Sequence, residues 1–574
     1  MRMLKRTKRH LLVSGAALVV GLCQAPSGDL KAQGAVALRG VVSSQEEGKM
    51  EGVVVSARRV GGTFTVSVVS DDKGRYSFPR SHLTAGPHAL TIRAVGYDLT
   101  GPGTVEVTAS QTASADLTLQ KTRDLASQLS SLEWTMSMPG TEEQKSKLVN
   151  QLLSCAYCHT YERIMKSKYT AEQFVPVITR MATYFVDGTA LSRDNRGRAL
   201  RAEHPENAEK SQTWGFSPPV PKTELGQYLA TVNLSGGKTT WPYELKTLPR
   251  PTGKATRVIM TQYDLPRKDT VPHDVDVDAT GTPWYGDQGQ MFIGRLDPKT
   301  GVFTEFALPP LPPKRVGGIS DVHSDNEGNL WFPITTATGT SHFGAPAKFE
   351  PKTQKLTVLE GPDNVQFLTK GPDGKIWMNN TATIIRIDPK AMKIDATFTV
   401  NAKTPGAPPG PHSLYQVGVN SKGNAFGFDW MGSYIVGIDA ATSAMKFFPT
   451  PTRGAAPRRG KMDAQDRLWF AEYTGDRIGM FDTRTEQFKE WLMPHKHSTP
   501  YAASVPDKNG YVYATSNMSE RLMRLDPKTG AVIEYLIPTD FDSKEIMIDP
   551  SRKRVTIWMS NTRNARMLRV EPLD

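Results

Sequence analysis

The sequence predicts a multidomain, mainly β protein, with a small β-sandwich, a small α-helical domain and a seven-bladed β-propeller. Short strand-like runs alternate with turns between residues 36 and 120, a Cys-x-x-Cys-His motif follows, and a unit of about 40–50 residues then recurs to the end of the chain. The 48 Gly and 41 Pro residues also favour a turn-rich β architecture.

These patterns divide the 574 residues into three domains, which a chain of this length can accommodate. We expect a signal peptide (1–33), a β-sandwich (34–121), a linker (122–140), a helical domain (141–236), a second linker (237–254) and a propeller (255–574).

Charge is concentrated at the start of the chain. The formal net charge is +12, and five of the basic residues lie among the first ten. No long basic run follows, which argues against nucleic acid as a partner. After the first segment no apolar run is long enough to span a bilayer, so the mature chain is predicted to have no transmembrane helix.

The first segment has the three-part layout of a secretory signal. Residues 1–10 are basic and residues 11–23 are apolar, and cleavage after Ala25 or near Ala32 would suit a signal peptidase. A periplasmic or secreted protein is therefore expected. Lipidation at Cys23 and an uncleaved anchor are the alternatives, although the large Leu22 before that cysteine disfavours the first.

Seven strand-like runs with period-two character predict the sandwich between residues 36 and 120. The stretch Asp72–Phe78, followed by Val95-Gly96-Tyr97, resembles the carboxypeptidase regulatory-like domain. The resemblance implies a non-catalytic adaptor in which Tyr76 and Phe78 face the core and the acidic residues form turns.

Cysteine usage gives the most specific chemical signal. Of three cysteines, one lies in the signal and the other two form Cys155-Ala156-Tyr157-Cys158-His159. This spacing attaches c-type haem: both thiols bond to the haem vinyl groups, and His159 becomes the proximal iron ligand. A zinc site would need further ligands, and a redox dithiol would accompany a βαβ pattern. We predict one covalent haem c, with a redox dithiol or chance spacing as alternatives.

Helix signals surround the motif. Thr141 with Gln144, and Thr170 with Gln173, have the spacing of capping boxes that open helices. The segment Thr223–Val232 resembles the final helix of class I cytochromes c. The resemblance implies that this helix packs across the haem-motif helix, and that the domain exchanges electrons with an external donor or acceptor.

The second axial ligand is predicted to be Met181, since haem domains of this type often carry a methionine there, and methionine ligation raises the potential. The spacing of Met181 from Phe174 and Ile178 also fits the core face of a helix. His204 and an open or water-bound iron remain alternatives.

From residue 255 onward the repeated unit is a turn, an aromatic strand, a strand ending in an acidic residue, and a short strand ending near proline. Seven units predict a seven-bladed propeller with four strands per blade. The last unit has three strands, and Arg257–Leu265 is expected to supply the fourth and close the ring. The acidic positions are Asp297, Glu350, Asp388, Asp439, Asp482, Asp526 and Glu571.

Leu330-Trp331-Phe332, Leu468-Trp469-Phe470 and Ile293–Pro298 resemble the blade motifs of the virginiamycin B lyase (streptogramin lyase) family. That family uses a histidine base and a Mg²⁺ ion held partly by a glutamate. Glu472 matches this glutamate, but Arg458 stands where the histidine is expected, and an arginine cannot accept a proton at neutral pH.

Two positions in each blade are predicted to line the central channel, one eleven residues before the aromatic residue and one three residues after it. The first ring comprises His273, Ser320, Gln366, Tyr415, Arg458 and Ala502. The second comprises Asp287, Asn380, Asp429, Glu472, Ser516 and Asn561.

From these rings, His273, Glu472 and the neighbouring His412 are the catalytic candidates. Asp287 and Glu472 are candidates to hold a channel Mg²⁺ or Ca²⁺. The channel could also bind a small molecule or peptide, or be lined by solvated polar groups without further function.

The predicted function is an exported c-type haem electron-transfer protein or oxidoreductase whose propeller binds a substrate or partner. A streptogramin lyase-like C–O lyase acting at the channel and a non-enzymatic envelope binding protein are the alternatives.

Overall fold

A computed structural model describes residues 35–186, 221–309, 317–338, 341–361, 365–380 and 382–574. The predicted signal peptide (1–33) and His204 lie outside these ranges. None of the helices in the described part of the chain combines the length and apolarity needed to cross a membrane.

The N-terminal domain is the predicted β-sandwich. Its strands are β1 Val36–Ser44, β2 Gly48–Lys49, β3 Val54–Arg59, β4 Phe64–Val69, β5 Arg75–Pro79, β6 Gly86–Arg93, β7 Tyr97–Gly101, β8 Thr104–Val107, β9 Ala113–Ser114 and β10 Leu117–Lys121. One sheet has the order β2-β1-β10-β7, with β5 and β9 also paired to β1, and the other contains β4-β3-β6-β8. Tyr76 and Phe78 are buried in the core that the two sheets share, as predicted.

The helical segment follows. Its helices are α1 Ser131–Ser137, α2 Glu142–Cys158, α3 Glu162–Met165, α4 Ala171–Val186 and α5 Lys222–Val232.

Both predicted capping boxes are present. The Thr141 N–H donates to Gln144 Oε1 (2.8 Å), and the Gln144 N–H donates to Thr141 Oγ1 (3.3 Å). Thr170 and Gln173 make the same pair of bonds, at 3.0 and 3.4 Å. The two reciprocal bonds satisfy backbone donors that would otherwise lack partners, and they define the starts of α2 and α4.

The final helix, α5, packs mainly against α4, whereas the resemblance to cytochromes implied packing across α2. Gly226 lies so close to α4 that an added Cβ would be 2.6 Å from the Ala171 carbonyl oxygen, a contact that only glycine avoids. An ion pair between Lys147 and Glu224 (3.2 Å) links α5 to α2, the helix that carries the Cys-x-x-Cys-His motif.

Seven antiparallel blades form the propeller, and blades five and six are joined into one sheet through a parallel pair between Arg459 and Ala502. Blade one comprises β12 Pro272–Val277, β13 Pro283–Asp287, β14 Phe292–Asp297 and β15 Val302–Ala307. Blade two comprises β16 Gly317–Ile319 and β17 His323–Ser324, which together form a split first strand, then β18 Leu330–Thr338, β19 Ser341–Glu350 and β20 Lys355–Val358. Blade three comprises β21 Phe367–Lys370, β22 Ile376–Asn380, β23 Thr383–Asp388 and β24 Lys393–Thr399.

The remaining blades repeat this pattern. Blade four comprises β25 Leu414–Val419, β26 Ala425–Asp429, β27 Tyr434–Ile438 and β28 Met445–Pro449. Blade five comprises β29 Pro457–Met462, β30 Arg467–Glu472, β31 Arg477–Asp482 and β32 Gln487–Leu492. Blade six comprises β33 Pro500–Ala503, β34 Val512–Ser516, β35 Arg521–Leu525 and β36 Val532–Leu536. Blade seven comprises β37 Ile546–Ile548, β38 Ile557–Asn561, β39 Arg566–Pro572 and β11 Val258–Asp264.

The ring closes as predicted, because β11 pairs antiparallel with β39 along its whole length. The structure adds a feature that the sequence did not reveal. The other edge of β11 pairs with the sandwich strand β4, so that Ile259 lies between Glu571 and Val68. Blade seven and one sandwich sheet therefore form a single eight-stranded sheet.

The acidic residues of the repeat cap the turn between the third and fourth strands of a blade. Asp297 accepts the Lys299 N–H at 3.0 Å, and equivalent bonds to the second residue after the acid occur at Asp388, Asp439, Asp482 and Asp526. Glu571, the acidic residue of blade seven, lies 3.0 Å from His82 of the sandwich.

Candidate haem site and propeller channel

The Cys-x-x-Cys-His motif lies at the end of α2. The backbones of Cys155 and Cys158 belong to the last turn of this helix, and His159 follows it directly. Leu148, Leu152 and Ala156 are buried on one side of α2 and anchor the helix in the core.

His159 has the hydrogen bond that a metal-binding histidine commonly makes. Its Nδ1 lies 2.7 Å from the Thr160 carbonyl oxygen. Because a carbonyl only accepts, Nδ1 carries the proton and Nε2 keeps its lone pair. Burial lowers the pKa of His159, although the bond to Thr160 acts in the opposite direction. The lowered pKa favours the neutral ring. A neutral imidazole oriented through its second nitrogen suits a proximal iron ligand, so the residues present fit a c-type haem.

The predicted sixth ligand, Met181, lies in α4 and is half-buried. Phe174 and Ile178 of the same helix are buried in the helical core. Met181 is thus the more accessible member of this helix face, and its ligation of the iron stays a prediction.

A residue that the sequence did not suggest fastens the motif to the propeller. Arg563 lies in the turn between β38 and β39, with its side chain almost fully buried. Its Nε and Nη2 donate to the Ala156 carbonyl oxygen at 3.1 and 2.5 Å. Nη1 lies 3.1 Å from Glu520 Oε1, and Nη2 also donates to the Asn517 carbonyl at 3.1 Å. Ala156, which lies between Cys155 and Cys158, is therefore bonded directly to blade seven.

Apolar packing supports the same contact. The Leu132 N–H of α1 donates to the Met518 carbonyl oxygen of blade six at 2.9 Å. Ala156 and Leu132 belong to one buried apolar cluster with Met518, Tyr473 and Tyr501 of the propeller. The helical segment thus rests on the turns of blades five to seven.

The sandwich also contacts this part of the propeller, through Arg93 at the end of β6. Its guanidinium pairs with Glu520 and donates to the Ile537 and Thr539 carbonyl oxygens at 2.6 and 2.7 Å. A cavity of about 230 Å³ lies at this junction and is lined partly by Arg93, Glu520, Asp540, Thr160 and Glu162.

Most of the predicted second channel ring caps turns. Asp287 accepts the Val271 and Gly289 N–H groups at 3.1 and 2.9 Å, which satisfies backbone donors at the end of blade one. Asp429, Ser516 and Asn561 accept backbone N–H groups in the same way. The side chain of Asn380 lies outside the described part. The polar character that suggested a binding ring therefore serves local turn structure at these four positions.

The two candidate cation ligands have partners of their own. Burial raises the pKa of Asp287 to about 6, and Arg267, 2.9 Å away, opposes this shift. Burial and the nearby Glu490 raise the pKa of Glu472 to about 9, so this carboxyl is protonated at neutral pH.

Asp287 and Glu472 lie in blades one and five. Within the described ranges, no three His, Cys, Asp or Glu side chains are grouped so as to hold a metal ion. The channel cation stays a prediction.

The candidate bases are also engaged. His412 Nδ1 lies 2.6 Å from Asp429, and Nε2 lies 2.9 Å from the Pro408 carbonyl oxygen. Although burial opposes it, these bonds raise the pKa of His412 and favour the charged ring. His273 is buried, with Nδ1 2.8 Å from Asp274.

Arg458 contributes a cation to a cluster of tyrosines. Its guanidinium lies 4.4, 4.2 and 4.2 Å from the ring centres of Tyr415, Tyr473 and Tyr501. It also donates to the Tyr415 hydroxyl at 3.1 Å. These contacts stabilise a buried guanidinium by cation–π attraction.

Arg459, which the predicted rings omitted, joins several blades. It is fully buried and makes two bonds of 2.7 Å to Asp274 of blade one. It also lies 3.4 Å from Asp321 of blade two and 3.2 Å from Glu545, just before blade seven. Arg459 thus connects blade five to three other blades across the channel.

A bulge that recurs in the first strands accounts for the omission. Blades one, four, five and six all shift register there, and in blade five the shift lies between Pro457 and Gly460. Such a bulge interrupts the alternation of side chains on which the ring assignment relied.

Comparison with known families gives one match. Residues 37–120 match the family model of the carboxypeptidase regulatory-like domain. The chain carries that domain. Comparison with curated proteins finds no match.

Among solved structures, virginiamycin B lyase from Staphylococcus aureus is 19% identical, with a TM-score of 0.46 over 55% of this chain and 99% of that one. A streptogramin B lyase is 19% identical, with a TM-score of 0.47 over 56% of this chain and 99% of that one. The structure of YCF48 bound to D1 peptide is 13% identical, with a TM-score of 0.40 over 54% of this chain and 94% of that one. The carboxypeptidase regulatory-like domain thus precedes a propeller, whose assignment rests on its seven blades.

Proposed function

We propose that the protein is an exported c-type haem protein that transfers single electrons and uses its propeller to bind a substrate or partner. The observation that carries the proposal is the His159 Nδ1–H bond to the Thr160 carbonyl, directly after Cys155 and Cys158. It leaves the Nε2 lone pair for iron beside the two attachment thiols.

Each part of the site has a role in this proposal. Haem bound at Cys155 and Cys158 supplies one-electron redox chemistry. The Thr160 carbonyl fixes the His159 ring, and the buried side of α2 holds the motif against the propeller. Met181 is the proposed sixth ligand. No second redox motif stands out in the sequence, so the electron donor or acceptor is proposed to be external.

The proposed location is the periplasm or the exterior of the cell. It follows from the basic and apolar segments within residues 1–33 and from the haem motif that comes after them.

The deciding experiment is a reduced-minus-oxidised absorption spectrum of the full chain, exported by a cell that has haem-maturation machinery. We expect a narrow α band, with haem that stays attached to the polypeptide after denaturation. Cys155→Ala should weaken the attachment, while Cys23→Ala, which changes the cysteine of the signal, should leave the spectrum unchanged. Absence of haem from the wild-type protein would refute the proposal.

In that case a lyase or a non-enzymatic binding protein would become the leading account. The propeller gives the lyase less support, because Arg458 lies among tyrosines and Glu472 is protonated at neutral pH. Turnover of a cyclic depsipeptide that is lost in His273→Ala would favour it nonetheless.

A further inference from the structure

Three regions of the chain meet at Arg563. This residue of blade seven is bonded to Ala156 in the haem motif, and through Glu520 of blade six it is connected to Arg93 of the sandwich. The side chains of Arg563 and Glu520 are almost fully buried, so the ion pair between them lies in the interior.

The bond from Arg563 to Ala156 satisfies a carbonyl group at the end of α2. The last four carbonyl groups of an α-helix have no donors within the helix, and Ala156 is among the last four residues of α2. The end of a helix also carries partial negative charge, which a nearby cation stabilises. Arg563 supplies both the donors and the charge, and it does so between the two haem cysteines.

We propose that Arg563 is a positioning residue that caps α2, fixes the haem motif on blade seven and raises the haem potential. The effect on potential rests on the proposed function, whereas the effect on the helix does not. Arg93 and Arg563 both pair with Glu520, and Asp540 is a further acidic neighbour, so loss of Arg563 removes one positive charge from beside the motif. Positive charge disfavours the oxidised haem, which carries one more positive charge than the reduced form.

The fork of the guanidinium makes arginine suited to this role. Nε and Nη2 reach one carbonyl oxygen while Nη1 remains on Glu520. A lysine would keep the charge but cannot form this set of bonds. The two properties can therefore be separated by substitution.

The haem arm of the test uses the full chain produced with haem maturation. We expect Arg563→Met to lower the midpoint potential measured by spectroelectrochemistry, and Arg563→Lys to leave it closer to the wild-type value. The matched control is Arg524→Met, which removes a buried arginine of blade six that pairs with Asp574. This control should leave the potential unchanged. An unchanged potential in Arg563→Met would overturn the electrostatic part of the proposal.

A second arm needs no haem. In the full chain carrying Cys155→Ala and Cys158→Ala, amide hydrogen exchange is measured across residues 150–160. Arg563→Met and Arg563→Lys should both speed exchange in the last turn of α2, and Arg524→Met should not. Equal exchange with and without the arginine would overturn the positioning role.

The outcomes distinguish the two proposals. A wild-type protein without haem, together with faster exchange in Arg563→Met, would refute the proposed function and keep the cap. If Arg563→Met does not fold, Glu520→Gln replaces it, since this variant weakens the anchor of Arg563 and keeps the arginine. Faster exchange in Glu520→Gln supports the cap, and unchanged exchange there contradicts it.

Discussion

Blades five and seven depart from the repeat in opposite directions. Blade five sends Arg459 inward, across the channel to three other blades. Blade seven turns outward: it borrows β11 from the start of the propeller, pairs with the sandwich and holds α2 through Arg563. In both blades, residues outside the repeated pattern connect the blade to something other than its neighbours. Blade five holds the ring together from inside, and blade seven connects the ring to the other domains.

Loss of the inward connection should have the largest effect. Arg459→Leu leaves Asp274 and Glu545 buried without their guanidinium partner, and breaking a buried ion pair in this way costs about 3–5 kcal/mol. The measurement is the free energy of unfolding by denaturant. Arg467→Leu is the matched control in the same blade, because Arg467 is part-exposed and pairs with Asp463, and it should change stability by less than about 1 kcal/mol.

Interruption of the outward connection should come next. Thr261 lies in the middle of β11, opposite Arg569 on one side and Val66 on the other. Thr261→Pro removes a ladder donor from a central strand and should cost about 3 kcal/mol.

The control for this change is Thr304→Pro in β15, a strand that pairs with one neighbour only. Melting temperatures measure both. Equal losses in the two variants would contradict a special role for the strand shared between blade seven and the sandwich.

The stability of the protein should also depend on pH through Glu472 of blade five. The pKa of Glu472 is raised from 4.5 to about 9, so the folded state holds this proton more tightly than the unfolded state. Stability should then fall as pH rises between these values, and Glu472→Gln should remove that slope. We expect the variant to be more stable than the wild type near pH 8, as measured by unfolding across pH. Parallel pH profiles for the two proteins would show that Glu472 is ionised at neutral pH.

The smallest effect is expected at the edge of blade seven. Glu571 contacts His82 and Arg569, and all three side chains are only slightly exposed. Glu571→Gln should cost about 0.5–1 kcal/mol, as measured by denaturant unfolding. Asp526→Asn removes the charge of a turn cap in blade six and serves as the comparison, with a loss no larger than that.

Local signals predicted most of the fold. The capping boxes at Thr141 and Thr170, the buried Tyr76 and Phe78, the seven units and the closing strand Arg257–Leu265 all depend on neighbouring residues or on a repeated pattern. The same is true of the Cys-x-x-Cys-His motif, whose position on α2 agrees with the helix predicted there.

Contacts between distant parts of the chain could not be predicted in this way. Arg563 and Ala156 are 407 residues apart, and neither belongs to a pattern that names the other. The pairing of β11 with β4 joins two strands that both looked complete within their own domains. Arg459 was missed because a bulge in its strand disrupts the alternation that assigns side chains to a face.

The eight-stranded sheet also determines how the molecule responds to mechanical load. Five consecutive residue pairs, from Ile259 with Val68 to Tyr263 with Phe64, join the sandwich to the ring by backbone pairing. This joint has no hinge, because rotation of one domain about the other would break a ladder of hydrogen bonds. A partner that binds the sandwich would therefore hold the channel and the end of α2 in a fixed orientation.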